Sequence, residues 1–440
     1  MNSVRTTLYA AGIALGLLAS SPHASAQQDY KPTKENLQAR EAFRDKGFGI
    51  FLHWGLYSML ARGEWVMHNE DIDCREYAKL AQAFYPSRFN ADAWVKAIRD
   101  GGAKYITITT RHHDGFSLFK TATSTYNSVD GTPFKRDIIK ELAEACARYG
   151  VKLHLYYSHL DWGREDYPQG RTGNGTGRDK TKANWPSYYR FMNTQLTELL
   201  THYGPVGAIW FDGWWDHDSD AKPFDWQLPE QYALIHQLQP QCLIGNNHHQ
   251  TPYAGEDIQI FERDLPGENK AGLSGQSIGQ LPLESCQTIN DHWGYSITDN
   301  RYKTPKALIQ MLVRAAGKNA NLLLNIGPEP NGDLPTLALD RLQAIGEWLK
   351  QYGTTIYNTR GGLVAPHDWG VSTQRGNQLF IHILDCQDKS LFIPLGGRKV
   401  KRAVTFATGE ALKFTPTGDG ITLHLGQTPT VIDHVVTLTL

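Results

Sequence analysis

The chain has 440 residues, 20% charged and 40% hydrophobic, with 41 Gly and 21 Pro. It can therefore bury a large core, and it is not disordered, collagen-like or a coiled coil. Lys and Arg number 44 against 45 Asp and Glu, and the net charge of -1 provides no bulk field to draw nucleic acid or an anionic membrane. Aromatics reach 11% with 12 Trp, which supply either a large core or flat faces that stack on sugar rings.

Arg5 precedes an apolar run over residues 8–19, and Ala24-Ser25-Ala26 forms an A-x-A cleavage pattern. The pattern predicts an export signal over residues 1–26, cut after Ala26, and a periplasmic or secreted protein; an uncleaved anchor is the alternative. No later run of 18 apolar residues predicts a membrane span. Cys74, Cys146, Cys242, Cys286 and Cys386 are far apart, odd in number and form no CxxC, which excludes a dense disulfide framework or a zinc ribbon.

From about residue 47 to 353, strand and helix patterns alternate. Apolar runs over residues 49–53, 104–109, 152–157, 208–212, 242–245 and 322–326 read as buried parallel strands. Asn90 caps one helical run, and Gly150 stops another that carries Ile138, Leu142 and Ala145. A third face holds Tyr189, Met192, Leu196 and Leu200. Thr304-Pro305 opens a helix that Gly317 closes, and a further helix covers about 337–352. No Gly-rich phosphate loop follows the first strand. Polar and aromatic residues instead sit at nearly every strand's C-terminal end, which favours a (β/α)₈-like barrel over a doubly wound sheet. One or two of its strands carry no clear pattern. After residue 355 the runs 379–384, 421–425 and 435–440 alternate and turns replace helices. The expected organisation is a barrel over 27–354 and an antiparallel β-sandwich over 355–440. Residues 163–182 form a Gly-rich polar loop, expected to be mobile, and Asn174 opens a glycosylation sequon in form.

The strand ends carry the chemistry. They contain His53-Trp54, Arg111-His112-His113-Asp114, Tyr156-Tyr157-Ser158-His159 and Trp210-Phe211-Asp212. If the barrel holds, these residues face one pocket. Imidazoles exchange hydrogen bonds with hydroxyls, indoles stack on rings, and a carboxylate can attack or stabilise an anomeric carbon. The inventory suits a neutral polyhydroxylated ligand and lacks the Arg and Lys clusters that a phosphate needs. The plainer readings are a capping role for Asp212 and core roles for the Trp residues. A metal-dependent hydrolase and a non-catalytic carbohydrate-binding protein are the competing functions.

Phe48-Gly49-Ile50-Phe51-Leu52-His53-Trp54-Gly55, His112-His113-Asp114-Gly115-Phe116 and Trp210-Phe211-Asp212-Gly213 resemble signature blocks of the α-L-fucosidases, glycoside hydrolase family 29. So do Glu284-Ser285-Cys286 through Trp293-Gly294-Tyr295, and Asn321-Leu322-Leu323-Leu324-Asn325-Ile326-Gly327-Pro328. The blocks occur in family order over about residues 40–360. The resemblance implies retaining exo-hydrolysis of terminal α-L-fucose from a fucosylated oligosaccharide or glycoconjugate, with no cofactor and no metal. A homo-oligomer is compatible with it. It carries the nucleophile onto Asp212 and the acid/base onto Glu284. It carries sugar binding onto His53, Trp65, His112, His113, Tyr157 and Trp210, with Glu64 and Arg263 as further contacts. Leu283 stands where many members have Trp, and Glu262 and Glu268 are rival acids.

Overall fold

The computed structural model describes residues 30–440, so the expected leader over 1–26 lies outside the described residues. Eight parallel strands form one sheet: β1 (Phe48–Leu52), β2 (Tyr105–Arg111), β3 (Lys152–Ser158), β4 (Ala208–Asp212), β5 (Leu243–Asn246), β6 (Gln259–Glu262), β7 (Leu283–Thr288) and β8 (Ala320–Ile326). Their order is β5-β4-β3-β2-β1-β8-β7-β6, and β5 meets β6 through the single bridge Gly245–Ile258. The sheet is a barrel with one thin seam. Helices Ala91–Asp100, Ile138–Tyr149, Trp185–His202, Leu228–Leu238, Pro305–Gly317 and Thr336–Tyr352 surround it. The capping signals act as read: Asn90 accepts from the Ala93 N–H, Thr304 from the Ala307 N–H, and Gly150 ends its helix at φ +69°. None of the helices is long and apolar enough to cross a membrane among the described residues.

Two apolar layers result from the strand alternation. Ile50, Leu155, Tyr157, Ile209 and Leu324 pack outward against the helices. Phe51, Tyr105, Tyr156, Trp210, Cys286 and Leu323 fill the barrel interior. The helix Lys34–Arg44 plugs the bottom, where Phe43 packs on Tyr105 at 5.4 Å between ring centroids. Gly49 must lack a side chain, since a Cβ there would lie 2.3 Å from the Tyr105 ring. That clearance lets the Tyr105 phenol cross the barrel to β7.

The chain then forms β9 (Arg360–Gly361), β10 (Gly370–Arg375), β11 (Gln378–Ile383), β12 (Ser390–Pro394), β13 (Arg402–Thr405), β14 (Phe414–Pro416), β15 (Gly420–His424) and β16 (His434–Thr439). These pair antiparallel as β13-β16-β11-β10-β9 and β12-β15-β14. Leu379, Ile381 and Val436 of one sheet share a core with Ile393, Ile421 and Leu423 of the other. The C-terminal part is thus the expected sandwich, and its first strand, β9, starts at Arg360.

Candidate active site

The C-terminal strand ends converge on an open-mouthed pocket of about 190 Å³. That is small beside the roughly 300–1,000 Å³ of sites for drug-sized ligands and suits a single sugar ring. His53, Glu64, Trp65, His112, His113, Trp210 and Asp212 all line it. Phe51 and Cys286 complete the floor. His53 Nδ1 lies 2.6 Å from the Asn325 Oδ1 of β8, and His113 Nδ1 lies 2.7 Å from Ser158 Oγ. Burial pushes His53 down to about 3 and holds His112 and His113 well below the ordinary imidazole range. All three are therefore neutral near pH 7, each able to donate one hydrogen bond and accept another. His112 stacks on Tyr156 at 5.4 Å, and its buried Nδ1 has no partner among the described residues. Glu64 accepts the Gly294 N–H at 2.7 Å, while burial raises its carboxyl.

Asp212 ends β4. Its Oδ1 accepts the Gly213 N–H at 2.9 Å, the Trp215 indole N–H at 3.0 Å and the Asn247 amide at 3.4 Å. Its Oδ2 accepts the Tyr156 phenol at 3.0 Å and lies 3.6 Å from His113 Nε2. Burial and the charge of Glu262 push this carboxyl up to about 6, against the Trp215 and Tyr156 hydrogen bonds.

Glu262 ends β6 and lines the same pocket. Its Oε2 accepts the Asn247 amide at 2.8 Å and lies 2.9 Å from His249 Nε2. Burial raises its carboxyl, but His249, Asn247 and Arg263 outweigh this and hold it below the usual range. Arg263, the next residue in the chain, and His249, on the loop after β5, both adopt left-handed backbone, at φ +59° and +63°, so both segments that meet this carboxylate turn there.

Three sequence-derived site residues lie elsewhere. Glu284 is fully buried one layer beneath the floor, two residues before Cys286 on the same inward face of β7. Its Oε2 accepts the Tyr105 phenol at 2.7 Å and its Oε1 the Trp210 indole at 2.9 Å. The side chain supports Trp210 from below and does not reach the pocket. Tyr157 points outward, donating to Gln195 Oε1 at 2.7 Å, because successive strand residues alternate in direction. Its neighbour Tyr156 is the one that faces Asp212. Arg263 does not line the pocket; its guanidinium lies over the Trp293 ring, 5.0 Å from the centroid, and donates to the Asp291 carbonyl. Of the rival acids, Glu268 pairs with Lys270 and Lys318 outside the pocket. Asn247 and His249 were missed. Their signal is the run Asn246-Asn247-His248-His249 that begins on the last residue of β5, the same pattern of polar residues that marks the other strand ends.

A family model described as alpha-L-fucosidase matches residues 17–354. The plasma alpha-L-fucosidase of Rattus norvegicus is 31% identical over 397 residues, 81% of this chain and 80% of its own. An alpha-L-fucosidase isoenzyme of Paenibacillus thiaminolyticus is 35% identical with a TM-score of 0.80, over 92% of this chain and 99% of that one. A second similar structure, from Bacteroides thetaiotaomicron, is 27% identical with a TM-score of 0.80 over 91% of this chain and 96% of that one. It is described as a trapped covalent intermediate with 2-fluoro-fucosyl fluoride in a glutamate-to-glutamine mutant. The signature blocks, the barrel with its sandwich and the matched model agree: the chain belongs to the α-L-fucosidases of glycoside hydrolase family 29.

Proposed function

We propose that this enzyme releases terminal α-L-fucose by double displacement, with Asp212 as nucleophile and Glu262, not Glu284, as acid/base. The observation that carries the assignment is the Asn247 amide, which reaches both carboxylates at 3.4 and 2.8 Å. The two bonded oxygens are then no more than about 6 Å apart, which is compatible with the roughly 5–5.5 Å between the carboxyl groups of a retaining pair. Glu284 is bonded to Tyr105 and Trp210 beneath the floor and has no path to a leaving group.

The fucose ring sits among neutral His53, His112 and His113, whose nitrogens exchange hydrogen bonds with its hydroxyls. Asp212 Oδ1 is held by three donors and Oδ2 by one strong one, so Oδ2 is the freer lone-pair source. Its attack on C1 forms a glycosyl ester as the C1–O bond to the leaving unit breaks. Glu262 gives its proton to that departing oxygen. It then takes a proton from water, the hydroxide attacks C1, and the ester bond breaks to return Asp212. The Bacteroides covalent intermediate supports this route by similarity. The leader pattern ending at Ala26 supports an exported enzyme, which N-terminal sequencing of exported protein tests.

Azide separates the two glutamates. Glu262→Ala should cleave an activated aryl fucoside slowly, and added azide should restore turnover and give α-fucosyl azide, since the anion replaces water in the second step. Asp212→Ala should give the β-azide, because azide then replaces the nucleophile. Rescue in Glu284→Ala with none in Glu262→Ala would return the acid/base role to Glu284.

A further inference from the structure

Charge is unevenly distributed from the floor of the pocket to its mouth. Asp212, Glu262 and Glu64 bring carboxyl groups inside, whereas Arg171 is the lining guanidinium, with 46% of its side chain exposed. An exo-acting enzyme seats the terminal sugar on the floor, so the exposed rim is where the next unit of the substrate lies.

Arg171 is held there by a loop that packs far more tightly than its composition suggests. Buried Asp216 accepts the Thr172 N–H at 2.8 Å, the Thr172 hydroxyl at 2.6 Å and the Tyr167 phenol at 2.8 Å. The Asp216 carbonyl accepts the Arg171 N–H itself at 2.9 Å. Arg178, also buried, donates to the Arg164 carbonyl at 3.0 Å and to Gln169 Oε1 at 3.0 Å. The Arg171 guanidinium carbon lies 5.2 Å from the ring centre of Trp215, the indole that holds Asp212. Its Nη1 meets Asp218 at 3.1 Å, and no other hydrogen-bond or ion-pair partner reaches the guanidinium among the described residues. One edge of the fork, Nε and Nη2, is left for solvent or ligand. A planar guanidinium edge matches two oxygens of a carboxylate or a sulfate ester, and stacking on an indole fixes its plane.

We propose that Arg171 forms a leaving-group subsite that favours fucosides whose next unit carries an oxyanion, a carboxylate or a sulfate ester, over neutral ones. This rests on the α-L-fucosidase reading of the floor. The carboxylates inside repel an anion from the depth of the pocket, so the sugar on the floor is neutral and the charge is read only at the mouth.

The test compares kcat/KM for three matched substrates: the α-L-fucosides of galactose, of galacturonic acid and of a galactose sulfate ester. The wild-type enzyme should prefer at least one charged substrate by about three- to tenfold at low ionic strength, and added salt should shrink the preference. The arm that shows it identifies the carboxylate or the sulfate as the better ligand. Arg171→Gln should bring the charged-to-neutral ratio near one, and Arg171→Lys, which keeps the charge without the fork, should fall between. The ratio divides out any effect on the neutral substrate. A wild-type ratio of one or less, with the neutral fucoside cleaved, overturns the subsite. So does a wild-type preference that is indifferent to salt, and this decides the matter even if the variants do not fold. Failure to cleave any fucoside would instead overturn the reading of the floor.

Discussion

Asp212 and Glu262 share one amide donor and face one another in a largely buried pocket, so neither titrates alone. The active form has one proton on the pair, with Asp212 ionised and Glu262 protonated; the opposite shifts of the two carboxyls rest that proton on Asp212 in the free enzyme, so the active form arises when it passes to Glu262. Burial and mutual charge keep a proton on the pair up to about pH 6. Because kcat/KM reports the free enzyme, it should fall as pH rises through about 6. His249 lowers the Glu262 carboxyl, so His249→Ala should move that limb to higher pH; an unmoved limb would separate Glu262 from the acid role. Glu284 makes a different prediction. Burial raises it to about 7 from its ordinary 4.5. Its contribution to stability is then fully present below about pH 4.5 and lost as pH rises to about 7. Gln in its place can accept from Trp210 and donate to Tyr105 without ionising. Glu284→Gln should therefore match or exceed the wild-type Tm at pH 8 and lose the advantage near pH 4.5. Glu284→Ala should cost about 2–4 kcal/mol, through the cavity and two stranded donors. A Gln variant that melts well below wild type at pH 8 would contradict this account. The sequence showed the residue types of the site, but not which neighbour faces it: Tyr156 and Tyr157 differ by one step of alternation, and a motif match is blind to that parity.

At the scale of elements, the barrel seam explains where sequence reading stopped. The six strands read from apolar runs are all present, and the two unread ones are β6 and β7, on the far side of the seam from β5. β6 is four residues, Gln-Ile-Phe-Glu, and β7 reads Leu-Glu-Ser-Cys-Gln-Thr. Their polarity comes from what they hold: the pocket carboxylate Glu262 and the buried Glu284. An apolar-run criterion fails where a strand's inward positions carry chemistry. The seam itself is tied by Asp257, which is fully buried. Its Oδ1 accepts Arg40 at 2.6 Å, and its Oδ2 accepts the Ile244 N–H of β5 at 2.8 Å and lies 2.9 Å from His236 Nε2. Asp257→Ala strands a mostly buried guanidinium and a strand N–H, so it should cost about 3–5 kcal/mol. Activity should fall with it, because Asn247 and His249 approach Glu262 from across this seam. Measuring Tm and kcat/KM together checks both parts, and an unchanged Tm would show that the seam does not depend on this carboxylate.

At the scale of the molecule, the change of period near residue 355 announced a second domain, yet the way it docks was illegible, because it depends on which backbones approach each other. The helix Pro305–Gly317 lies against the sandwich. Gln310 Nε2 donates to the Leu384 and Ile432 carbonyls, both at 3.0 Å, and the Thr373 hydroxyl donates to the Thr355 carbonyl at 2.6 Å. Two glycines allow the close approach: a Cβ on Gly361 would lie 2.3 Å from the Gly317 carbonyl oxygen, and one on Gly317 would lie 2.3 Å from the Val371 Cβ. The same helix leads through a short turn into β8, whose Asn325 orients His53. Barrel and sandwich are thus joined by backbone contact as well as by sequence, and should melt as one unit. Gly361→Val forces the two backbones apart and should cost about 1–3 kcal/mol, the range for overpacking a closed contact. The whole enzyme should then melt a few degrees lower, still in a single transition. Calorimetry distinguishes the outcomes: an unchanged Tm would mean that the glycine contact is not limiting, and two resolved transitions would mean that the sandwich and the barrel unfold independently.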